Sequence, residues 1–330
     1  MVLRAVDELR HPPEAGANWR ESIYWNFNDS DNEIGAWIYL WVVPAEPARS
    51  GMIVSFYHGS WPDPMVYEKA MASPGHLLST EDRWVYCYQT QCQNLVSMDF
   101  DDVNSSGLRI RRAEPFSRYD LCFDDGEGTS FSLDSRFLDQ PFDYADGFHP
   151  TPLWLATNRY HRSHHIRGEL NIRGKRYLID CTGDSDHSWG TRDWSIFARH
   201  RFKMWSFQSA DSRIAASVIN QATDDGHLAL GYVSIDQVMA SARSIASTAT
   251  YDERGVQRDI QVEVEDDRGR VVRATCPAMH SFIGWGSPGQ FWGFEGVGTY
   301  NVEGFGQASG ASSFFWPAAE DPARLHASGG

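Results

Sequence analysis

An all-β protein built as two antiparallel barrels in tandem is the architecture this sequence predicts. Three observations carry the prediction. Helical periodicity is scarce, short alternating runs bounded by Gly, Asp, Asn and Pro recur from end to end, and neither half shows a β-α-β alternation. At 330 residues the chain is long for one domain and short for three, so two lobes are expected. Closing each into a barrel removes the open strand edges that would otherwise invite aggregation.

In the first half the alternating runs are 21–27, 34–43, 51–58, 83–93, 95–99, 107–113, 117–124 and 130–137. A short helix or lid fits 62–78, and 139–152 is an irregular stretch rich in Pro, Asp and Gly. Arg173-Gly174 reads as the turn of a hairpin joining 165–172 to 175–186. A second series covers 199–209, 213–221, 228–235, 241–252, 256–265, 271–278 and 291–303, with turn signals such as Asp224-Asp225-Gly226 between its members. The expected domains are 1–185 and 186–330, and 324–330 reads as a frayed tail.

Charge and composition exclude several partners. Forty-four acidic against 29 basic residues give a net charge of −15, which repels phosphate backbones, so nucleic acid is not expected. The basic stretches Arg109-Ile110-Arg111-Arg112 and 159–167 read as solvated strand faces. Five cysteines without C-x-x-C spacing read as reduced, buried thiols rather than a disulfide scaffold or zinc ribbon. No apolar leader and no run of 18 apolar residues occur, so no membrane insertion and a cytoplasmic location are expected. A homodimer is the default assembly for such a chain. With 13 Trp, 13 Tyr and 18 Phe, the aromatics suit wide pleated surfaces and the walls of a cavity for a hydrophobic small molecule.

The densest group of reactive side chains is Gly183-Asp184-Ser185-Asp186-His187-Ser188-Trp189-Gly190-Thr191-Arg192-Asp193-Trp194. Strand alternation would turn Asp184 and Asp186 one way and Ser185 and His187 the other. A carboxylate beside tryptophan in a dry cavity loses part of its preference for the charged form, which suits it to acid–base work near neutral pH. Histidine needs no such tuning. Arg192 would either neutralise Asp193 or hold an anionic substrate group. The same residues would equally serve as a structural clasp, tying a crossover segment to its sheet.

The string Asp186-His187-Ser188-Trp189-Gly190, followed by Arg192-Asp193-Trp194, resembles the Asp-His-x-Trp signature of two-domain lipocalin-like proteins that include carotenoid 1,2-hydratases and AttH-like proteins. It is nearest to their uncharacterised branch reading Asp-His-Ser-Trp-Gly-x-Arg. The segment 21–27 resembles that branch's opening strand, 160–176 its strand pair before the signature, and Gly304-Phe305-Gly306-Gln307 its closing strand. The resemblance implies lipocalin-like barrels, addition of water, isomerisation or related chemistry without metal or nucleotide, and Asp186 as acid or base beside His187 and Trp189. Ser185 departs from the branch, which often carries Arg there, and Asp184 stands three before His187.

Other candidates are scattered. Tyr160 and His161 are possible partners for Asp186, whereas the three histidines of 160–165 lack the spaced carboxylate of a metal site, so no metal is expected. His58 and Trp61 sit at a strand end suited to a cavity rim, and Trp292 and Glu295 lie in an aromatic strand where a carboxylate is either solvated or buried and perturbed. A Gly-x-Ser-x-Gly elbow, a phosphate loop and a dinucleotide fingerprint are all missing, so no cofactor is expected. The leading expectation is a cofactor-independent lyase, hydratase or isomerase working by proton transfer on a hydrophobic, aromatic or terpenoid-like molecule. Elimination from a lignin-derived aromatic dimer is one substrate option. A non-catalytic carrier of hydrophobic ligands is the alternative.

Overall fold

A computed structural model of the chain describes residues 3–14 and 18–320, so the tail expected at 324–330 lies outside the described residues. The all-β expectation holds, with strands making up 63% of the structure and helix 7%. The first sheet takes its strands from β1 (Trp19–Asp29), β2 (Ile34–Val43), β3 (Arg49–His58), β4 (Ser60–Trp61, which leaves for the second sheet), β5 (His76–Ser79), β6 (Trp84–Gln91), β7 (Asp102–Ser105), β8 (Leu108–Glu114), β9 (Arg118–Asp124), β10 (Thr129–Phe137), β11 (Phe142–Asp143), β12 (Asn158–Ile172) and β13 (Lys175–Thr191). The second sheet follows with β14 (Phe202–Ser209), β15 (Ile214–Thr223), β16 (Gly226–Ile235), β17 (Val238–Tyr251), β18 (Gln257–Asp266), β19 (Val271–Cys276), β20 (Met279–Ser287), β21 (Phe291–Val302) and β22 (Gly306–Pro317).

The two sheets close differently. Pairing of β19 with β21 turns eight strands of the second sheet into a closed barrel. The first runs β5-β6-β3-β2-β1-β13-β12-β10-β9-β8-β7 and remains a half-barrel wrapped around its own apolar core. Strand β4 crosses over and pairs in parallel with β20, lacing the halves together. The change of sheet falls between Thr191 and Phe202, whereas the boundary expected at 185/186 lies inside β13, whose backbone is bonded to β1 and β12 throughout that stretch.

Alternation explains which residues meet. On β13, Tyr177, Ile179 and Cys181 belong to the half-barrel core, and His187 follows on the same side. Asp184, Asp186 and Ser188 face the other way. On β1, Ile23, Trp25 and Phe27 enter the core while Ser22, Tyr24 and Asn26 turn outward, and β2 divides Ile38, Leu40 and Val42 from Trp37, Tyr39 and Trp41 in the same fashion. That outward face is mostly covered, with Tyr24, Tyr39 and Trp41 left half-buried. The second barrel covers it, burying one aromatic cluster around Phe142, Tyr144, Trp154, Phe202 and Phe315 and another around Trp37, Tyr57 and Tyr67.

Where the strand expectation fails, packing is the reason. Residues 95–99 form no strand; the 3-10 turn Gln93–Ser97 instead drops Leu95 into the half-barrel core. The expected solvated face at 159–167 is split, with Arg162 fully buried and Arg159 nearly so, while Arg167 is exposed and pairs with Asp180. Arg162 meets Glu8 of the N-terminal 3-10 turn at 2.7 Å, and Arg10 and His11 reach Glu21, so the segment from Arg4 to His11 straps across the half-barrel. All five cysteines are free thiols. Among the described residues, no helix is long and apolar enough to cross a membrane.

Gly183 shows how closely β1 and β13 approach. A Cβ there would lie 2.2 Å from the Asn26 carbonyl oxygen and 2.7 Å from Phe27 Cα, both backbone atoms with nowhere to go. Gly183→Ala should therefore cost about 3 kcal/mol, at the upper end of the overpacking range, read as a fall in the urea midpoint. A change under ~0.5 kcal/mol would show that the strands part easily at this point.

Candidate functional site

The signature segment is divided between two environments by the register of β13. On the core side, His187 is paired with Tyr160 of β12 and Ile23 of β1. Its Nε2 is 2.9 Å from Glu21 Oε1, its Nδ1 3.3 Å from the Tyr160 hydroxyl, and Trp189 stacks on His11 at 3.9 Å. Burial alone would raise the Glu21 carboxyl, but hydrogen bonds from His11 and His187 outweigh it and bring Glu21 down to about 2. Burial keeps His187 below the ordinary histidine value, and it pushes the Tyr160 phenol up.

The donor atoms of His11, Glu21 and His187 lie within 4.8 Å of one another, a set whose chemistry would suit zinc. Glu21 is already taken, however. The backbone N–H of His11 donates to it, and Arg10 Nε sits 3.0 Å from Oε2, so its charge is already balanced by a cation. The arrangement anchors the N-terminal strap.

On the covered side a polar row crosses the sheet from Tyr39 on β2 through Ser22 and Tyr24 on β1 and Asp186 and Ser188 on β13 to Arg159 on β12. Arg159 Nη2 donates to Asp186 Oδ2 at 3.0 Å, and its guanidinium lies 5.4 Å from the Tyr144 ring. Arg192, just past the end of β13, donates to Ser22 Oγ at 2.9 Å and to Ser188 Oγ. Arg20 Nη2 donates to the Tyr39 hydroxyl at 2.8 Å. Asp186 and Arg192 are 7% and 8% exposed, so the row is almost dry without being sealed. Burial would raise the Tyr39 phenol, but the guanidiniums of Arg20 and Arg192 prevail and hold it below the usual tyrosine value.

Two further carboxyls cross between the sheets. Asp184 accepts from Ser206 and from Gln208 Nε2 at 3.1 Å, both on β14, and from Ser163 at 3.2 Å. Glu295, on β21, accepts from the Trp37 indole of β2 and from Ser313 at 2.9 Å. Burial pushes each up to about 7, against hydrogen bonds that pull the other way.

The expected site residues therefore do not form one site. Asp186 and Arg192 share the covered row; His187, Tyr160 and Trp189 lie behind the same strand with Glu21. His161 is 3.7 Å from Asp184, and burial holds its imidazole well below the ordinary value. Asp193 does not pair with Arg192; it is exposed and caps the turn Trp194–Ala198 by accepting from Ser195 N. His58 stacks on Trp84, and Trp61 donates to the His58 carbonyl, at the far end of the half-barrel. Trp292 stacks on Trp316 in the second barrel and lines an open groove of about 390 Å³ with Phe291, Pro64 and Met65. Sequence reasoning missed Tyr39, Arg20, Arg159 and Ser22. The alternate aromatics Trp37, Tyr39 and Trp41 were the available signal, because a solvated strand face seldom carries three large rings in a row.

Fold and covered row together define a protein of two packed antiparallel β-sheets with a buried carboxylate–guanidinium site where they meet. The chain belongs to the family described as Domain of unknown function (DUF7064), which matches residues 4–306. No curated protein matches it. Among solved structures it is similar to an AttH protein from Nitrosomonas europaea, with a TM-score of 0.55 at 12% identity over 90% of this chain and 92% of that one. It is also similar to kievitone hydratase from Nectria haematococca (TM-score 0.50, 9% identity, 90% and 88% covered) and to CghA in complex with Sch210972 (0.55, 10%, 91% and 88%). These structures share its fold.

The raised carboxyl of Glu295 makes stability depend on pH. Its folded value of about 7 exceeds the ordinary 4.5, so the folded state holds its proton longer. Its contribution is fully favourable below about pH 4.5 and is lost as pH rises through 7, by on the order of 3 kcal/mol. Glu295→Gln preserves the neutral shape. Denaturation should show the variant matching the wild type near pH 5 and exceeding it near pH 8; a gap independent of pH would remove this carboxyl from the balance.

Proposed function

We propose that the protein is a proton-transfer enzyme, a lyase, hydratase or isomerase acting on a hydrophobic small molecule at the covered row. The observation that carries this is Asp186, nearly dry, held by Arg159 and facing the outward row that also holds a phenol with a lowered pKa. A carboxylate fixed in this way accepts or returns a proton without reorganising solvent, and contributes typically 10²–10⁴-fold as a general acid or base. Tyr39 is the natural partner acid. Arg192 stabilises negative charge developing on a substrate oxygen, while Tyr24, Tyr144 and the rings of the second barrel supply an apolar wall.

The names of two similar structures, kievitone hydratase and CghA, point in the same direction, since one of them is a hydratase on a similar fold. In this reading side chains alone move the protons, and aromatic or terpenoid-like molecules, including lignin-derived dimers, are the substrates to screen. The carrier alternative draws on one observation: Asp186 already accepts from Arg159 and lies 3.5 Å from the Ser188 hydroxyl, as a structural clasp would.

Asp186→Asn separates the two. An enzyme should lose on the order of a hundredfold in turnover while its circular dichroism is retained, and Tyr39→Phe should lose activity alongside it. Hydration or isomerisation run in deuterated water should place deuterium on carbon. Retained ligand binding with no exchange by any screened substrate would leave the carrier standing.

A further inference from the structure

Three guanidiniums converge on the covered row, and a single carboxylate answers them. Arg159 has Asp186. Arg20 and Arg192 spend their donors on the hydroxyls of Tyr39, Ser22 and Ser188, and among the described residues neither lies within ion-pair distance of an acid. The two carboxyls adjoining Asp186 and Arg192 in the chain are engaged elsewhere: Asp184 faces Ser206 and Gln208, and Asp193 is exposed on its turn. The Nε atoms of Arg20, Arg159 and Arg192 make no hydrogen bond, although Arg192 is more than nine-tenths buried.

A surplus of about two positive charges, one buried on Arg192 and one half-buried on Arg20, is expensive, since an ion taken from water forfeits several kcal/mol of solvation. Burial and the repulsion of Arg20 and Arg159 already pull the Arg192 guanidinium below its ordinary value. The chain as a whole carries −15, so this cationic island runs against its average composition. Arginine forks match a carboxylate geometrically as well as electrically. Around Arg20 stand Tyr39, Trp41 and Trp194, with ring centroids at 5.5, 5.0 and 5.4 Å, giving the cation an aromatic collar.

We propose that this face binds a hydrophobic acid, its carboxylate held by Arg192 and Arg20 and its apolar body laid against the surrounding rings. This rests on the covered row being the ligand site; it does not require that the ligand be turned over. In the enzyme reading the acid is the substrate, and the arginines fix it so that its reacting carbon faces Asp186.

The test uses two probes of one shape, 4-biphenylcarboxylate and the neutral 4-biphenylcarboxamide, titrated into the full chain and followed by tryptophan fluorescence. At neutral pH the acid should bind at least roughly tenfold more tightly than the amide, a difference of about 1.4 kcal/mol. Arg192→Gln should weaken the acid by at least roughly tenfold and the amide by clearly less, so that the preference collapses. Should that variant fail to fold, Arg20→Gln, on the more exposed side of the cluster, carries the same expectation. Equal affinities in the wild type, a folded variant that keeps the preference, or no binding of either probe would overturn the proposal. The outcome is distinguishable from that of the proton-transfer reading: acid preference without turnover by any screened substrate describes a carrier of acids, and Asp186-dependent turnover without acid preference describes an enzyme for neutral molecules.

Discussion

The molecule depends on how its two sheets are held face to face. Each sends one buried carboxyl across the junction: Asp184 leaves the first sheet for Ser206 and Gln208, and Glu295 leaves the second for the Trp37 indole. Both sit where water is scarce, which favours their neutral forms and makes each hydrogen bond directional. Apolar contact alone would tolerate sliding of one sheet over the other. Paired donors and acceptors at two separated points do not, and the covered row lies in the frame they define.

Strand alternation then decides the chemistry available on each side of β13. Consecutive residues of the signature belong to different compartments: His187 and Trp189 join Glu21, Tyr160 and the N-terminal strap, while Asp186 and Ser188 join Arg159, Arg192 and Ser22. Chain neighbours of this kind cannot act on one bound molecule. On the His187 side Arg10 has a carboxylate in Glu21 and Arg162 one in Glu8, whereas on the Asp186 side Arg20 and Arg192 have none within ion-pair distance among the described residues. That asymmetry in charge pairing is what the proposed reading of the covered row rests on.

Much of this was legible in the sequence. The strands 34–43 and 130–137 were read almost to the residue because their alternation is uninterrupted and their ends carry turn residues, and the split of Asp184 and Asp186 from Ser185 and His187 followed from the same period. The strand at 95–99 was misread because a short apolar run looks alike in a strand and in a turn that buries one leucine. Closure was not legible: nothing local distinguishes the strands of a half-barrel from those of the closed barrel, since closure depends on the pairing of β19 with β21 far along the chain. Arg159 and Arg162 were misjudged for a related reason. Charge along a strand signals solvent only when no second layer covers it, and here Tyr144 of the turn before β12 lies over Arg159 and the N-terminal strap over Arg162.

The strap across the half-barrel also has a bearing on how the chain is made. Glu8 and Arg162 are separated by 154 residues, and at typical synthesis rates of about 5–20 residues per second the ribosome takes roughly 8 to 30 s to supply the second after the first. Throughout that interval Glu8 lacks its fully buried partner, with Arg112 the one basic side chain among its described ion pairs to emerge earlier, while His11 and Arg10 wait only for Glu21 close by. The strap is therefore translated early and seated late, and the half-barrel passes through a stage in which its strands can pair while its mouth still stands open to chaperones and proteases.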